Sequence, residues 1–513
     1  MLRALRSYFE TRPHLVLTVI YAIVIIVVSY NHEVWRDEVR ALSLAMESNS
    51  IFDLFSNIRN EGHPALWYLI LYAGYHLVRS TIVLKIAGIS IAILAVYFFL
   101  LASPFTWIQR ILFILGYFPI YEYSVINRNY GISMLLIFNF CMIYKKRFSK
   151  IILLSLILFL LCQTNVHSLI IVIAIFISFS VESFSKLKNI KNNVEIKKSF
   201  IIILIIILIA IFLSVLQICP DSSSSVLNSF PSFDRILKSV LSAIILPGRG
   251  FRDALGFQNV IFVSSIVWLI YLYLLRKPYI LLIFFLSVVG IGLSFRLIQP
   301  GFLRHQGFLF IMIVAIYWLD AVSVEEVHIY PRCLNQLIDI VSKNWKSLIT
   351  LLLFMQVCMG IPAIIKEIKK DFSPSKKLAE LIKTNSNLSD AIIIGEPDFY
   401  VEPLAYYIPN RIYIPAEMRF GKAVKFTSLK KRKYSLRELL DAALNLREEF
   451  QRPILIVMGH RLDREGPFSI KYPYGRKFNY SPNSLESFYM KTKKIASLQE
   501  SMSDEKYAVF LLN

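Results

Sequence analysis

Apolar runs of membrane-spanning length recur along the first 362 residues of the chain, at about 14–30, 82–102, 108–126, 131–144, 151–162, 167–181, 200–218, 259–275, 279–296, 306–320 and 347–362. A hydrocarbon core about 30 Å thick is crossed by roughly 20 predominantly apolar helical residues. Hydrophobic residues make up 56% of the 513, more than a water-soluble surface of this size can carry. The sequence therefore predicts a polytopic α-helical membrane protein with about 11 full crossings.

Charge orients the runs. The formal net charge of +21 is concentrated between them, in "KKRFSK" (145–150), "KLKNIKNNVEIKK" (186–198) and Arg276–Lys277. Basic loops of this kind lie on the cytoplasmic side, against anionic lipid. A twelfth run, 64–78, decides the alternation. If it crosses, "KKRFSK" falls outside; if it is partial or re-entrant, every basic loop falls inside, and we adopt that arrangement. Arg3, Arg6 and Arg12 then hold a cytoplasmic N-terminus, and the first loop (31–63) and the C-terminus are extracytoplasmic. The first run lacks a small-residue cleavage pattern and reads as a retained helix of a multi-pass inner (cytoplasmic) membrane protein. Positive charge distributed in this way does not describe a nucleic-acid binder. The five cysteines are scattered without metal spacing.

From about 363 the composition turns mixed and charged. "AIIIGEP", "RIYIP", "PILIVMGH" and "YAVFLL" read as short buried strands, with "SKKLAELIK" and "YSLRELLDAALNLREEF" as amphipathic helices between them. Two domains result: a transmembrane module, 1–362, and an extracytoplasmic α/β domain, 363–513.

The first loop carries "EVWRDEVRALSLA", with Asp37 and Glu38 in the first turn of a short helix. Carboxylates at a helix start are ordinary dipole chemistry. "SIFDLFSNI" follows as an amphipathic helix, Ser50 and Asp53 forming its capping pattern. "EGHPALWY" places His63 before the short run, where an interfacial anchor and a functional group are equally good readings. Later helix ends deliver further polar groups. "YEYSVINRNYG" brings Arg128 and Tyr130, "CQTNVHSL" brings His167 within a buried polar turn, and "FRLIQPGFLRHQGF" brings Arg304 and His305. One such residue can snorkel to the headgroups. Several at one face suit a phosphate held at the membrane surface, with a nearby carboxylate as base.

In order and placement, the acidic pair after helix one, the amphipathic helix, "GHPALWY" and the "RNY" mouth resemble the GT-C glycosyltransferases, near family 39 mannosyltransferases and aminoarabinose transferases. The resemblance implies a sugar moved from a polyprenyl-phosphate donor in the bilayer to a glycan, lipid or protein acceptor, with inversion. It implies Asp37 as catalytic base with Glu38 second, while His63, Arg128, Tyr130, His167, Arg304 and His305 are the groups the sequence itself offers to the donor phosphate. No cofactor is implied, and a divalent metal is left open, because no acidic residue stands beside Arg128 on the "RNY" side. A transporter or flippase of lipid-linked saccharides would use the same cationic rim, but it calls for matched halves, and no internal symmetry is visible. A polymerase would carry its large loop between late helices, and a receptor would leave the Arg and His residues unused.

Overall fold

The computed structural model describes residues 12–189, 194–220, 231–323, 330–425, 433–466, 468–472 and 476–512. Arg3, Arg6 and part of the 186–198 basic loop lie outside them. The chain divides into two compact units. The first comprises Met1–Val27, Gly88–Leu216 and Ser229–Ile365; the second comprises Val28–Ala87, Gln217–Asn228 and Lys366–Asn513.

The first unit is helical. Among the described residues, seven helices are long and apolar enough to cross a membrane: Pro13–Asn31, Val83–Ala102, Val166–Asn189, Val194–Ile218, Pro278–Leu297, Leu303–Val322 and Arg332–Lys369. Of the other four expected crossings, three are shorter helices: Tyr130–Ile143, Ile151–Cys162 and Val260–Leu274, of 14, 12 and 15 residues. The fourth, 108–126, is not one span. Trp107–Ile114 is a helix capped by Thr106 and Gln109, and it gives way to a π-helical turn at Phe118–Glu122. The break falls at Gly116 and Pro119. Proline cannot continue the hydrogen-bond ladder, and a Cβ on Gly116 would sit 3.1 Å from Gln356 Cβ. The apolar window of Leu303–Val322 is 78% buried and that of the Val194–Ile218 helix 28%, which makes the former central and the latter peripheral.

The second unit joins the acidic loop to the C-terminal α/β domain. The strands are β1 (Ile392–Glu396), β2 (Ile412–Ile414), β3 (Arg419–Phe420), β4 (Lys433–Ser435), β5 (Ile454–Met458), β6 (Ser469–Lys471), β7 (Lys477–Asn479), β8 (Thr492–Leu498) and β9 (Tyr507–Leu512). One sheet runs β3-β2-β1-β5-β9-β8 and a smaller one β4-β7-β6. β2, β1 and β5 are parallel, β9 is antiparallel to β5, and β8 is antiparallel to β9. β1 and β5 are buried throughout, as expected of central strands covered on both faces. The helix Leu436–Phe450 covers one face and Ser375–Thr384 the other.

Helix Arg36–Glu47 packs with Leu66–Val78. At 13 residues, Leu66–Val78 is about 20 Å long, too short to span. Ile51–Asn57 is the expected amphipathic helix; Ser50 Oγ accepts from Asp53 N at 3.1 Å, and Ile51, Phe52 and Phe55 are exposed. The sequence boundary at 362 falls inside the helix Arg332–Lys369. The loop 31–63 is bonded into the α/β domain through Ser375 Oγ to Val34 O at 3.0 Å and Val34 N to Tyr407 Oη at 2.9 Å.

Candidate active site

The two adjacent carboxylates of the opening motif have different fates. Successive positions on a helix point about 100° apart, so only one of the pair can face the unit's interior. That one is Glu38, which is fully buried. Its Oε2 accepts from His32 Nε2 at 2.8 Å and from Trp35 N at 3.3 Å, the latter being helix-start chemistry. His32 Nδ1 in turn faces Glu367 Oε1 at 2.8 Å. With a carboxylate on each ring nitrogen, both nitrogens donate and His32 is an imidazolium. Burial opposes that charge, but Glu38 and Glu367 prevail and raise its pKa to about 9. Lys85 Nζ, in the first turn of Val83–Ala102, donates to His32 O at 2.8 Å and also to Ser29 O. The carboxylates occupy opposite edges of the ring and cannot converge on one ion. Among the described residues, no group of three His, Cys, Asp or Glu side chains is arranged to hold a metal.

Asp37 turns the other way. Its side chain is 29% exposed, and Arg36 Nε lies 3.9 Å from Oδ1. Arg36 is itself engaged elsewhere, paired with Asp504 at 2.7 and 2.8 Å and crossing the Tyr400 ring at 5.2 Å. Arg40, one turn on, grips Glu61 with two bonds of 2.7 Å and Glu402 with one of 2.9 Å. Burial raises the Glu402 carboxyl to about 7 against the pull of Arg40. This second buried network fixes the loop ahead of His63, which is half-buried just before Leu66–Val78. Asp37 is therefore the accessible member of the adjacent pair, on a helix held by two buried ionic networks.

In the first unit, four of the five expected residues form one chain of ring contacts. The Arg128 guanidinium lies 5.6 Å from the Tyr130 ring, Tyr130 is edge-on to His305 at 5.6 Å, and His305 stacks on His167 at 5.0 Å. Arg304 is next to His305; its guanidinium lies over Phe302 at 4.7 Å, and its carbonyl accepts from Tyr123 Oη at 2.7 Å. The Tyr130 hydroxyl is buried and has no hydrogen-bond partner among the described residues. The polar turn beside His167 is satisfied by protein groups. Gln163 Nε2 bonds Ser214 Oγ at 2.9 Å, Asn165 Nδ2 bonds Ser133 Oγ at 2.8 Å, and Asn129 Nδ2 bonds Thr164 O at 2.7 Å. Gln163, Thr164 and Asn165 thus join helices, and His167 alone of that motif enters the aromatic-cationic group.

Sequence reasoning missed His32, Lys85, Glu402 and Glu367. A signal existed for Glu367: an acidic residue in the last turns of an apolar helix is costly unless paired. His32 and Lys85 carried the same flag, but Glu402 lies in a different segment altogether.

The helices and the sheet define a multi-pass helical membrane protein that carries a C-terminal α/β domain. No family model matches the chain, and no curated protein matches its sequence. Among solved structures it is similar to ArnT from Cupriavidus metallidurans bound to undecaprenyl phosphate, at 10% identity and a TM-score of 0.45, with 98% of each chain covered. The apo state of the same protein is matched at 10% identity and a TM-score of 0.44, again over 98% of each chain.

Proposed function

We propose that the chain is a GT-C-type glycosyltransferase that moves a sugar from a polyprenyl-phosphate donor to an acceptor, with inversion at the anomeric carbon. The observation that carries this reading is the assembly of Arg128, Tyr130, His167 and His305, from three separate helix ends, into one group. Arginine and imidazole groups at a helix mouth suit the phosphate of a lipid whose tail lies in the bilayer. A buried tyrosine hydroxyl lacking a partner is a cost of about 1–3 kcal/mol that a ligand oxygen would remove.

In this mechanism the acceptor hydroxyl attacks the anomeric carbon while Asp37 takes up its proton. The bond to the polyprenyl phosphate breaks, and the phosphate leaves with the electron pair of that bond. The bond of Glu38 to His32 supports a positioning part for Glu38 and the part of base for Asp37. The reaction takes place at the extracytoplasmic face, to which the loop charges assign residues 31–63. A flippase would need these groups but no base.

The test is sugar transfer from a labelled polyprenyl-phosphate donor in membranes containing Arg128→Ala protein. Loss of one charged hydrogen bond, roughly 1.5–3 kcal/mol, lowers donor use about ten- to a hundredfold, with the protein at normal level in the membrane. Unchanged donor use would remove the phosphate role.

A further inference from the structure

In the larger sheet, the chain leaves β1 for β2 on one side and later returns to β5 on the other. A cavity beside these strands lies on the β5, β9 and β8 side, and among the described residues its lining includes none of β1. Here β1 ends at Glu396 and β5 at Met458, and Gly459 N donates to Glu396 O at 2.7 Å, closing the two ends together. A Cβ on Gly459 would lie 2.4 Å from the Tyr400 ring, so only glycine allows so close an approach. The loop 460–466 that follows lines the cavity, which has a volume of about 950 Å³. β8 contributes Lys494 and Ser497 to its lining, β9 contributes Ala508 and Phe510, and the helix Pro482–Lys491 contributes Tyr489.

The cavity is large enough for a small ligand, and its lining narrows the kind. Arg461, Arg464 and Lys494 offer donors, while Asp463 and Glu465 offer acceptors among them. Asp463 is paired with Arg461 at 2.8 Å, so a polyanion would meet fixed negative charge as well as positive. A saccharide fits this alternation, because every hydroxyl both donates and accepts. Tyr489 is 42% exposed, with its ring 6.0 Å from Phe510, and provides an amphipathic face for a sugar ring.

We propose that this cleft binds a saccharide and that the acceptor of the reaction is therefore a glycan. The acceptor role rests on the transferase reading; the binding rests on the cleft alone. No residue of the cleft belongs to the candidate active site.

The experiment uses the full chain in nanodiscs, probed with an array of neutral, amino and acidic mono- to tetrasaccharides, with inorganic phosphate as competitor. At least one saccharide is retained and is not displaced by phosphate. Tyr489→Ala and Asp463→Asn each weaken retention tenfold or more, and Tyr489→Phe, which keeps the ring, restores most of it. In the transfer assay with the retained saccharide as acceptor, Tyr489→Ala raises KM for it at least tenfold with kcat nearly unchanged. A parent protein that retains no saccharide, or variants that retain it equally, overturn the cleft. Donor consumption without transfer to any retained saccharide overturns the acceptor role and leaves the transferase reading standing. Retention without any donor consumption overturns the transferase reading and the acceptor role with it, while the cleft stands.

Discussion

The adjacent carboxylates Asp37 and Glu38 should respond oppositely to loss of charge. In the parent protein His32 is held protonated to about pH 9, against an ordinary value near 6.5. A difference of that size corresponds to about 3 kcal/mol of stability. Because the folded pKa is the higher one, this contribution is complete below about pH 6.5 and is lost as pH rises through about 9. Glu38→Gln keeps the shape but removes one of the two charges that hold the imidazolium, which costs roughly 1.5–3 kcal/mol. The variant should be less stable than the parent at pH 6, and it should lose less on going to pH 10. Asp37→Asn changes a side chain that is 29% exposed, so its effect on stability should stay within about 0.5 kcal/mol at every pH. Transfer should fall about a hundredfold or more in that variant, the scale of a missing general base. The assay is apparent melting temperature by tryptophan fluorescence in detergent at pH 6, 8 and 10, paired with sugar transfer at pH 7. For a unit of this size, 1 kcal/mol moves the midpoint by roughly 2–4 °C. A Glu38→Gln protein with the parent's midpoint and the parent's alkaline loss would refute the buried triad. Near-normal transfer by Asp37→Asn would return that residue to a simple helix-start role.

Three further outcomes are expected. Arg40→Ala leaves Glu61 and Glu402 buried without their guanidinium, at a cost of roughly 3–5 kcal/mol; the C-terminal domain should become protease-sensitive, and Glu402→Gln in the same chain should recover part of the loss. Tyr130→Phe removes a buried hydroxyl that has no partner among the described residues, so the melting temperature should hold or rise while donor use falls; a loss of both would make the hydroxyl structural. Cysteines introduced at the exposed positions Ser386 and Lys145 report orientation in intact cells: an impermeant reagent should label the first and spare the second, and the reverse pattern would put the acidic loop on the wrong side.

Much of the fold was legible because periodicity is a local signal. β1, β2, β5 and β9 fall on the four apolar stretches read as strands, and Arg36–Glu47 and Ile51–Asn57 fall on the expected helices. What escaped was non-local or of mixed polarity. β8 is the lysine-bearing "TKKIASL", an edge strand whose charges guard against unwanted pairing, so it carries no apolar run. The run 108–126 reads as one span by hydropathy, because a single proline and glycine barely change an average. In the candidate site, the mouth residues were found because an ionisable group beside a greasy run stands out. The division of labour between Asp37 and Glu38 was invisible, because it depends on Glu367, more than 300 positions away. Sequence spacing could indicate a pair of carboxylates but not which of them would be buried.

Lys85, in the opening turn of Val83–Ala102, holds Ser29 O in the last turn of Pro13–Asn31 and His32 O just beyond it. Hydrogen bonds tolerate only about half an ångström of travel before they weaken. Bilayers vary in thickness by several ångströms, and helices usually absorb the mismatch by tilting independently. These two helix ends cannot slide past each other, so they must rise and fall as one. The acidic loop that follows the first helix is thus anchored to both ends at once, and a change in one is carried to it through the other.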